Sequence, residues 1–429
     1  MNRHVPTASA GNALDPTDPP PLHMTTGSAP ISAATRHSIL LLSFATFSSM
    51  AAQRICDAML PELSRVFSVS LAQAAQVVSV FAVVYGLAQL LYGPMGDRLG
   101  KFPVVTFAAL ACSAGSLVAL FADSLEFLVL SRAMVALGAA AIIPLSMAWI
   151  GDMVAHEQLQ ETLARVGLGT TLGIVGGQLV GGLLTDTLGW RWAFGLMAIL
   201  FSVVAALLYV DWRRQPDPTV VASRSPPTPR PGFVVQALMI ITGSWSRVVL
   251  TVAFIEGAAG FGVLAMWASH LNRAFGLSLS AAGAIVALFG FGGMLYMAVA
   301  RRLIQRCGQH GLTLLGVWLL GLSALVISFT PYWVLTMPAS LAAGFGFFMF
   351  HNTMQANATQ MAPTARGTAV SLFASALFLG QSVGVWVAAG LIENIGSGSV
   401  IALGGGVMFV LGLWFSRALR RRADMLQSA

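Results

Sequence analysis

Charge is what this sequence lacks. Of its 429 residues only 9% are Asp, Glu, Lys or Arg, against roughly 25% in a typical soluble domain. Hydrophobic residues make up 56%, and the mean hydropathy is +0.78. A soluble fold of this size has no interior large enough to hide that much apolar surface, so the solvent is a lipid bilayer. Lysine is nearly absent as well: Lys101 stands alone among 23 basic residues, the rest being arginine. The net charge of +7 does not point to nucleic acid, which needs a clustered basic face in polar surroundings. Here the arginines fall in small groups between apolar runs, as they do in cytoplasmic membrane loops.

Cysteine is scarce too. Cys56, Cys112 and Cys307 are odd in number and far apart, which excludes a disulfide framework and any zinc or redox spacing. Simple packing accounts for them. Motifs of an embedded enzyme, such as His-Glu-x-x-His, are also missing.

What is present is a succession of apolar runs of about 20 residues, each long enough to cross a hydrocarbon core. Twelve are read: 38–60, 74–95, 103–122, 126–150, 164–186, 191–211, 245–270, 279–299, 312–330, 334–356, 367–391 and 398–418. They are too long for barrel strands and do not alternate strictly, so the expected fold is all-α. Residues 1–36, rich in Pro, Ser and Thr, read as a disordered tail rather than a signal peptide. The proline-dense stretch from Arg213 to Gly232 opens a polar linker over 213–244. It separates six runs within 37–212 from six within 245–419, and 420–429 forms a second tail.

Arginine placement sets the expected orientation. With the N-terminus inside, the cytoplasmic side collects both tails, Arg98, Lys101, Arg165, Arg213, Arg214, Arg224, Arg230, Arg247, Arg301, Arg302, Arg306 and Arg366. The opposite side keeps only Arg65, Arg191 and Arg273. Both termini are therefore expected to be cytoplasmic.

The halves echo one another. Gly177-Gln178-Leu179-Val180-Gly181 in run five returns as Gly380-Gln381-Ser382-Val383-Gly384 in run eleven, and Arg98-Leu99-Gly100 returns as Arg306-Cys307-Gly308. A duplicated six-helix unit is a transporter architecture, with its binding site between the halves near the midplane.

The tract YGPMGDRLGK, Tyr92–Lys101, is not a phosphate loop. Only three residues separate Gly96 from Gly100-Lys101, and Phe102 stands where a hydroxyl is needed. Read as Gly-x-x-x-Asp-Arg-x-Gly-Lys, its residues Gly93, Asp97, Arg98, Gly100 and Lys101 resemble the hallmark loop of the major facilitator superfamily. Arg132 with Gly138-Ala-Ala resembles that superfamily's fourth-helix motif, with Val135 and Ala136 in place of the usual Gln and Gly. Gly173, Gly177, Gly181 and Gly182 resemble the fifth-helix motif of the drug:proton antiporter branch, where Gln178 departs from the usual Pro. Gly189–Phe194 and Pro363–Ser371 are similar to that branch too, so the resemblance covers most of 38–419. It implies a transporter without cofactor, working as a monomer on a small molecule and protons, in a bacterial inner membrane. It also implies that Asp97 latches onto the start of run eleven, near Thr364–Gly367, when the cytoplasmic side is closed. A carboxylate at a helix N-terminus is a favourable partner in any case.

Charges inside spans carry the site expectation, because each costs about 2.5–3.5 kcal/mol at mid-membrane on insertion scales. Arg54 and Asp57 lie three apart on one helix face and can pair. They form either a structural ion pair or, with Asp57 as the proton carrier, part of the coupling site. Arg132 falls in run four, where the resemblance implies a part in proton coupling. Glu256 is the only acid within run seven and has no charged sequence neighbour. It is either a coupling acid or a group facing a water-filled vestibule. His351, Asn352 and Gln355 cluster late in run ten, as a relay or as polar residues near the interface. The expected function is proton-driven export of a small drug-like or metabolite molecule. Proton-linked uptake of an organic anion, with Arg54 and Arg132 as its partners, is the alternative.

Overall fold

The computed structural model describes residues 31–214 and 232–428. Most of the expected N-terminal tail and most of the expected linker, with Arg224 and Arg230, lie outside them. Every regular element among the described residues is helical. The first half of the sequence forms α1 (Ala33–Arg54), α2 (Leu60–Val66), α3 (Leu71–Ala74), α4 (Gln76–Leu99), α5 (Lys101–Leu120), α6 (Leu125–Met153), α7 (His156–Thr187) and α8 (Trp190–Arg214). The second half begins with α9 (Phe233–Thr242) and α10 (Ser244–Glu256), followed by a π-helical turn (Gly257–Gly262) and α11 (Trp267–Phe275). It ends with α12 (Leu279–Phe329), α13 (Thr336–Gln360), α14 (Arg366–Ile395) and α15 (Ser397–Ser428).

Among the described residues ten helical stretches are long and apolar enough to cross a membrane. Two features separate this number from the twelve runs read in the sequence. α1 is not among the ten, because it is rich in hydroxyls that the interior tolerates by back-bonding. Ser43 donates to the Ile39 carbonyl and Ser48 to the Phe44 carbonyl, both at 2.8 Å. α12 carries two runs, 279–299 and 312–330, in a single 51-residue stretch that breaks at Gly308. There φ is 60° and ψ is −179°, a conformation that glycine alone adopts readily.

The stretch expected to be linker contains an apolar helix, α9. It is too short to span, and Val234, Val235, Leu238, Met239 and Ile241 are exposed on it. Its one buried residue, Ile240, packs with Ala369 and Leu372 of α14, and Leu90 of α4 joins that cluster. Gln236 accepts a 2.8 Å hydrogen bond from the Thr368 hydroxyl at the start of α14. A short helix with an apolar outer face lies in the membrane interface rather than in water. At the other terminus α15 runs on through the residues expected to be a tail.

Glycine seams set the closest helix contacts. A Cβ at Gly177 would fall 2.6 Å from the Ala51 carbonyl, and Gly173 and Gly181 press as closely on the Phe47 and Ile55 carbonyls. The contacts ascend together, so α1 and α7 run parallel. In the second half Gly380 presses on the Phe254 carbonyl and Gly384 on Ala258. The positions match: 51, 55, 177 and 181 correspond to 254, 258, 380 and 384 at one constant offset. Between the halves, α4 packs on α14 and α7 on α12.

Candidate functional site

α1 and α10, which match one another in the repeat, both lose regular α geometry where their charges lie. α1 ends at Arg54 and gives way to a turn over 55–59, while α10 ends at Glu256 and gives way to the π-helical turn. Such interruptions free backbone groups and re-aim side chains, and π turns recur at functional sites.

At the first break Arg54 and Asp57 are both 1% exposed and pair at 3.3 Å, Nη1 to Oδ2. Gln178 of α7 donates to the same Asp57 oxygen at 2.9 Å. Gln381 of α14, its counterpart in the repeated Gly-Gln-x-Val-Gly, accepts from Gln53 Nε2 at 3.3 Å. The two seam glutamines thus converge on residues 53–57, one from each half.

At the second break Glu256 is fully buried and its Oε1 lies 2.8 Å from His351 Nδ1. The two breaks are joined through aromatics. The Arg54 guanidinium sits 4.5 Å above the Phe261 ring, and Phe261 meets Phe347 at 4.7 Å. Phe347 stacks on the His351 ring, with centroids 5.7 Å apart and planes 11° apart. The run Asp57–Arg54–Phe261–Phe347–His351–Glu256 therefore crosses from one half of the sequence to the other.

Among the described residues several atoms in and beside this run have no protein partner. Asp57 Oδ1, Gln178 Oε1, Gln53 Oε1 and Glu256 Oε2 are buried acceptors without a hydrogen bond, and Arg54 Nε and Arg132 Nη2 are buried donors without one. Unmet groups of this kind cost about 1–3 kcal/mol each where nothing solvates them. A ligand, a proton or water is what can satisfy them.

The remaining candidate residues fall elsewhere. Arg132 stands beside this run, 4.3 Å over the Phe81 ring and bonded through Nε to the Val77 carbonyl at 3.3 Å. It is within electrostatic reach of Asp57. Asn352 is half-buried and Gln355 is exposed. Phe261 and Phe347 belong to the run, Gln53 adjoins it, and none of the three was singled out in the sequence. An uncharged glutamine and two phenylalanines give no signal in so apolar a chain.

The gate residues lie at the end of the molecule where α1 begins. Lys101 pairs with Asp152 of α6 at 2.5 Å, and Gly100 has φ 88°, ψ 136° between α4 and α5. Asp97, Arg98 and Arg306 are exposed. Among the described residues Asp97 takes part in no hydrogen bond or ion pair, and its expected contact with 364–367 is not made. At the opposite end a carboxylate does meet a helix start. Asp186 at the end of α7 accepts from the backbone N–H groups of Leu279 and Ser280 at 3.3 and 2.6 Å, and from the Ser280 hydroxyl at 2.6 Å. These are the first N–H groups of α12, so a carboxylate of one half caps a helix N-terminus of the other. Gly182 presses on the Leu279 carbonyl beside it.

An all-helical, membrane-spanning chain with buried charges between two repeated halves and an end-capping latch belongs to the class of transporters, not of enzymes. The profile of the Major Facilitator Superfamily matches residues 42–255 and 249–426, and the chain belongs to that superfamily. Among its relatives is the uncharacterized MFS-type transporter YceJ of Bacillus subtilis (strain 168), 23% identical over 375 residues, 86% of this chain and 93% of the relative. The inner membrane transport protein YajR of Escherichia coli (strain K12) is 22% identical over 360 residues, 80% of this chain and 74% of the relative. A solved bacterial homologue of the human lysosomal transporter Spinster, inward-facing and unoccupied, shares the fold with a TM-score of 0.65. It is 18% identical and spans 90% of this chain and 95% of its own.

Proposed function

We propose that this protein is a proton-coupled antiporter that exports a small drug-like or metabolite molecule from a bacterium by alternating access. In this reading α1 and the two parts of α12 on either side of Gly308 complete a set of twelve spans. These form two six-helix bundles with both termini cytoplasmic, and the protein works as a monomer. The observation that carries the reading is the Glu256–His351 pair. A fully buried carboxylate bonded on one oxygen and unpartnered on the other has room to exchange a proton for a ligand donor. Such an acid within a span marks a transport pathway by default. The glycine seams are where α1 slides on α7 and the π-helical turn slides on α14. The Asp186 and Asp97 latches close the two ends in turn.

Asp57 takes a supporting part in this scheme, because Arg54 and Gln178 already neutralise and bond one of its oxygens. The test is transport into everted vesicles under an imposed pH gradient. Glu256→Gln is expected to lose gradient-driven transport and Asp57→Asn to keep a measurable part of it. Undiminished transport in both variants would refute the proposal.

One observation favours the reverse direction, uptake of an organic anion with protons. Arg54 Nε and Arg132 Nη2 are buried donors without partners, and both suit a carboxylate. Comparison of whole cells with everted vesicles separates the two directions.

A further inference from the structure

A groove of about 740 Å³ opens between α10 and α15. Thr251 and Ile255 line it from α10, and Leu403, Val407, Val410 and Trp414 from α15. Apart from Thr251 the lining is apolar. Leu403, Val407, Val410 and Trp414 are all exposed, so the groove faces the bilayer and not the central site. It runs on into a second apolar space of about 200 Å³ that shares Ile255, Leu403 and Val407 and reaches Val383 and Val387 of α14.

The stripe on each wall can be followed to its end. On α15 the positions 403, 407, 410 and 414 advance by alternating steps of four and three, and the next members are Arg417 and Arg421. On α10 the positions 255 and 251 lead back one turn to Arg247. Helical periodicity thus places one arginine on one wall and two on the other, just beyond the same end of an apolar groove. All three are exposed, and none forms an ion pair among the described residues. Asp424 is the only acid in the whole of α15. Arg422 closes the corner between the helices, its guanidinium 4.3 Å over the Trp245 ring.

We infer that this groove is a binding site for an anionic phospholipid. One acyl chain lies along Ile255, Val407 and Val410, and the phosphate lies among Arg247, Arg417 and Arg421. A soluble anion gains nothing from the apolar walls, and a neutral lipid gains nothing from the arginines. An anionic lipid uses both. Basic residues near an anionic surface are attracted to it, so headgroup selectivity resides in the three arginines and chain retention in the groove. The site adjoins the candidate coupling acid directly, since Ile255 precedes Glu256 and lines both spaces.

The experiment is native mass spectrometry of the full chain in a mild detergent. Phosphatidylglycerol and phosphatidylcholine with identical chains are added in competition. Wild type is expected to retain phosphatidylglycerol about fivefold or more over phosphatidylcholine, a modest share of what three arginines supply. The triple variant Arg247→Gln, Arg417→Gln, Arg421→Gln is expected to bring that ratio to near one without loss of phosphatidylcholine, while the matching triple lysine variant keeps the preference. Gly406→Leu puts a side chain into the groove that Gly406 helps line, at a position where a Cβ meets nothing within 4 Å. It is expected to reduce retention of both lipids. Equal retention of the two lipids by wild type overturns the inference, as does a preference that survives in the glutamine triple variant. So does full retention in Gly406→Leu, or displacement of phosphatidylglycerol by equimolar glycerol phosphate. If the glutamine triple variant does not fold, the wild-type ratio and Gly406→Leu still decide.

Discussion

Gln53 and Glu256 occupy the same position in the two halves of the chain. The offset that carries Ala51 to Phe254 and Ile55 to Ala258 in the glycine seams carries Gln53 to Glu256. Gln53 reaches across to Gln381 at 3.3 Å, whereas Glu256 bonds His351 within its own half at 2.8 Å. One duplicated position therefore holds a neutral amide on one side and an acid on the other. In the proposed scheme this asymmetry is the reason for assigning proton exchange to the second half. Glu256→Gln makes the two halves alike, and substrate binding is expected to persist while its dependence on pH disappears. Binding isotherms at acidic and alkaline pH check this.

His351 holds the bonded oxygen of Glu256. His351→Ala leaves both carboxylate oxygens without a partner. A hydrogen bond to a charged group is worth about 1.5–3 kcal/mol, so gradient-driven transport is expected to fall about tenfold or more. His351→Gln, which retains a donor, is expected to restore part of it. Initial rates in vesicles distinguish the two.

The Arg54–Asp57 pair is predicted to matter first for stability. Asp57→Asn strands a buried guanidinium, and breaking a buried pair costs about 3–5 kcal/mol. The double variant Arg54→Gln, Asp57→Asn leaves no stranded charge and is expected to be the more stable of the two. Thermal unfolding of both proteins in detergent measures the difference.

Asp186 is predicted to hold its end of the molecule shut. Asp186→Ala removes three hydrogen bonds to the start of α12. At about 1.5–3 kcal/mol for a bond to a charged group, losing even one shifts the balance toward the open form tenfold or more. Spin labels on the exposed positions Leu188 and Arg273 are expected to show a longer distance population in the variant.

Two glycines should respond in opposite ways. Gly181→Ala drives a methyl into the Ile55 carbonyl, and overpacking of this kind costs about 1–3 kcal/mol. Gly93→Ala meets nothing within 4 Å and lies inside α4, where alanine is the better helix former by about 1 kcal/mol. Melting temperatures should fall for the first and hold or rise for the second.

Composition and run length by themselves determined that this chain is helical and membrane-embedded, because twenty apolar residues have few other places to go. Glycine spacing announced the seams, and the isolation of Arg54, Asp57, Arg132 and Glu256 in apolar surroundings marked them as costly and therefore purposeful. These are properties of one helix at a time, and a linear reading resolves them. Which charges meet is a property of several helices at once. The pairing of Glu256 with His351, 95 residues away, follows from how α10 and α13 pack. The aromatic bridge through Phe261 and the equivalence of Gln53 with Glu256 depend on how the halves face one another. A carboxylate at a helix start was expected at Asp97 and is found at Asp186, because a carboxylate caps whichever helix end the packing brings to it. The helix breaks at Arg54 and Glu256 and the lipid-facing groove ending in Arg247, Arg417 and Arg421 likewise depend on tertiary contact, since neither a change of helical pitch nor a gap between two helices leaves a trace in residue order.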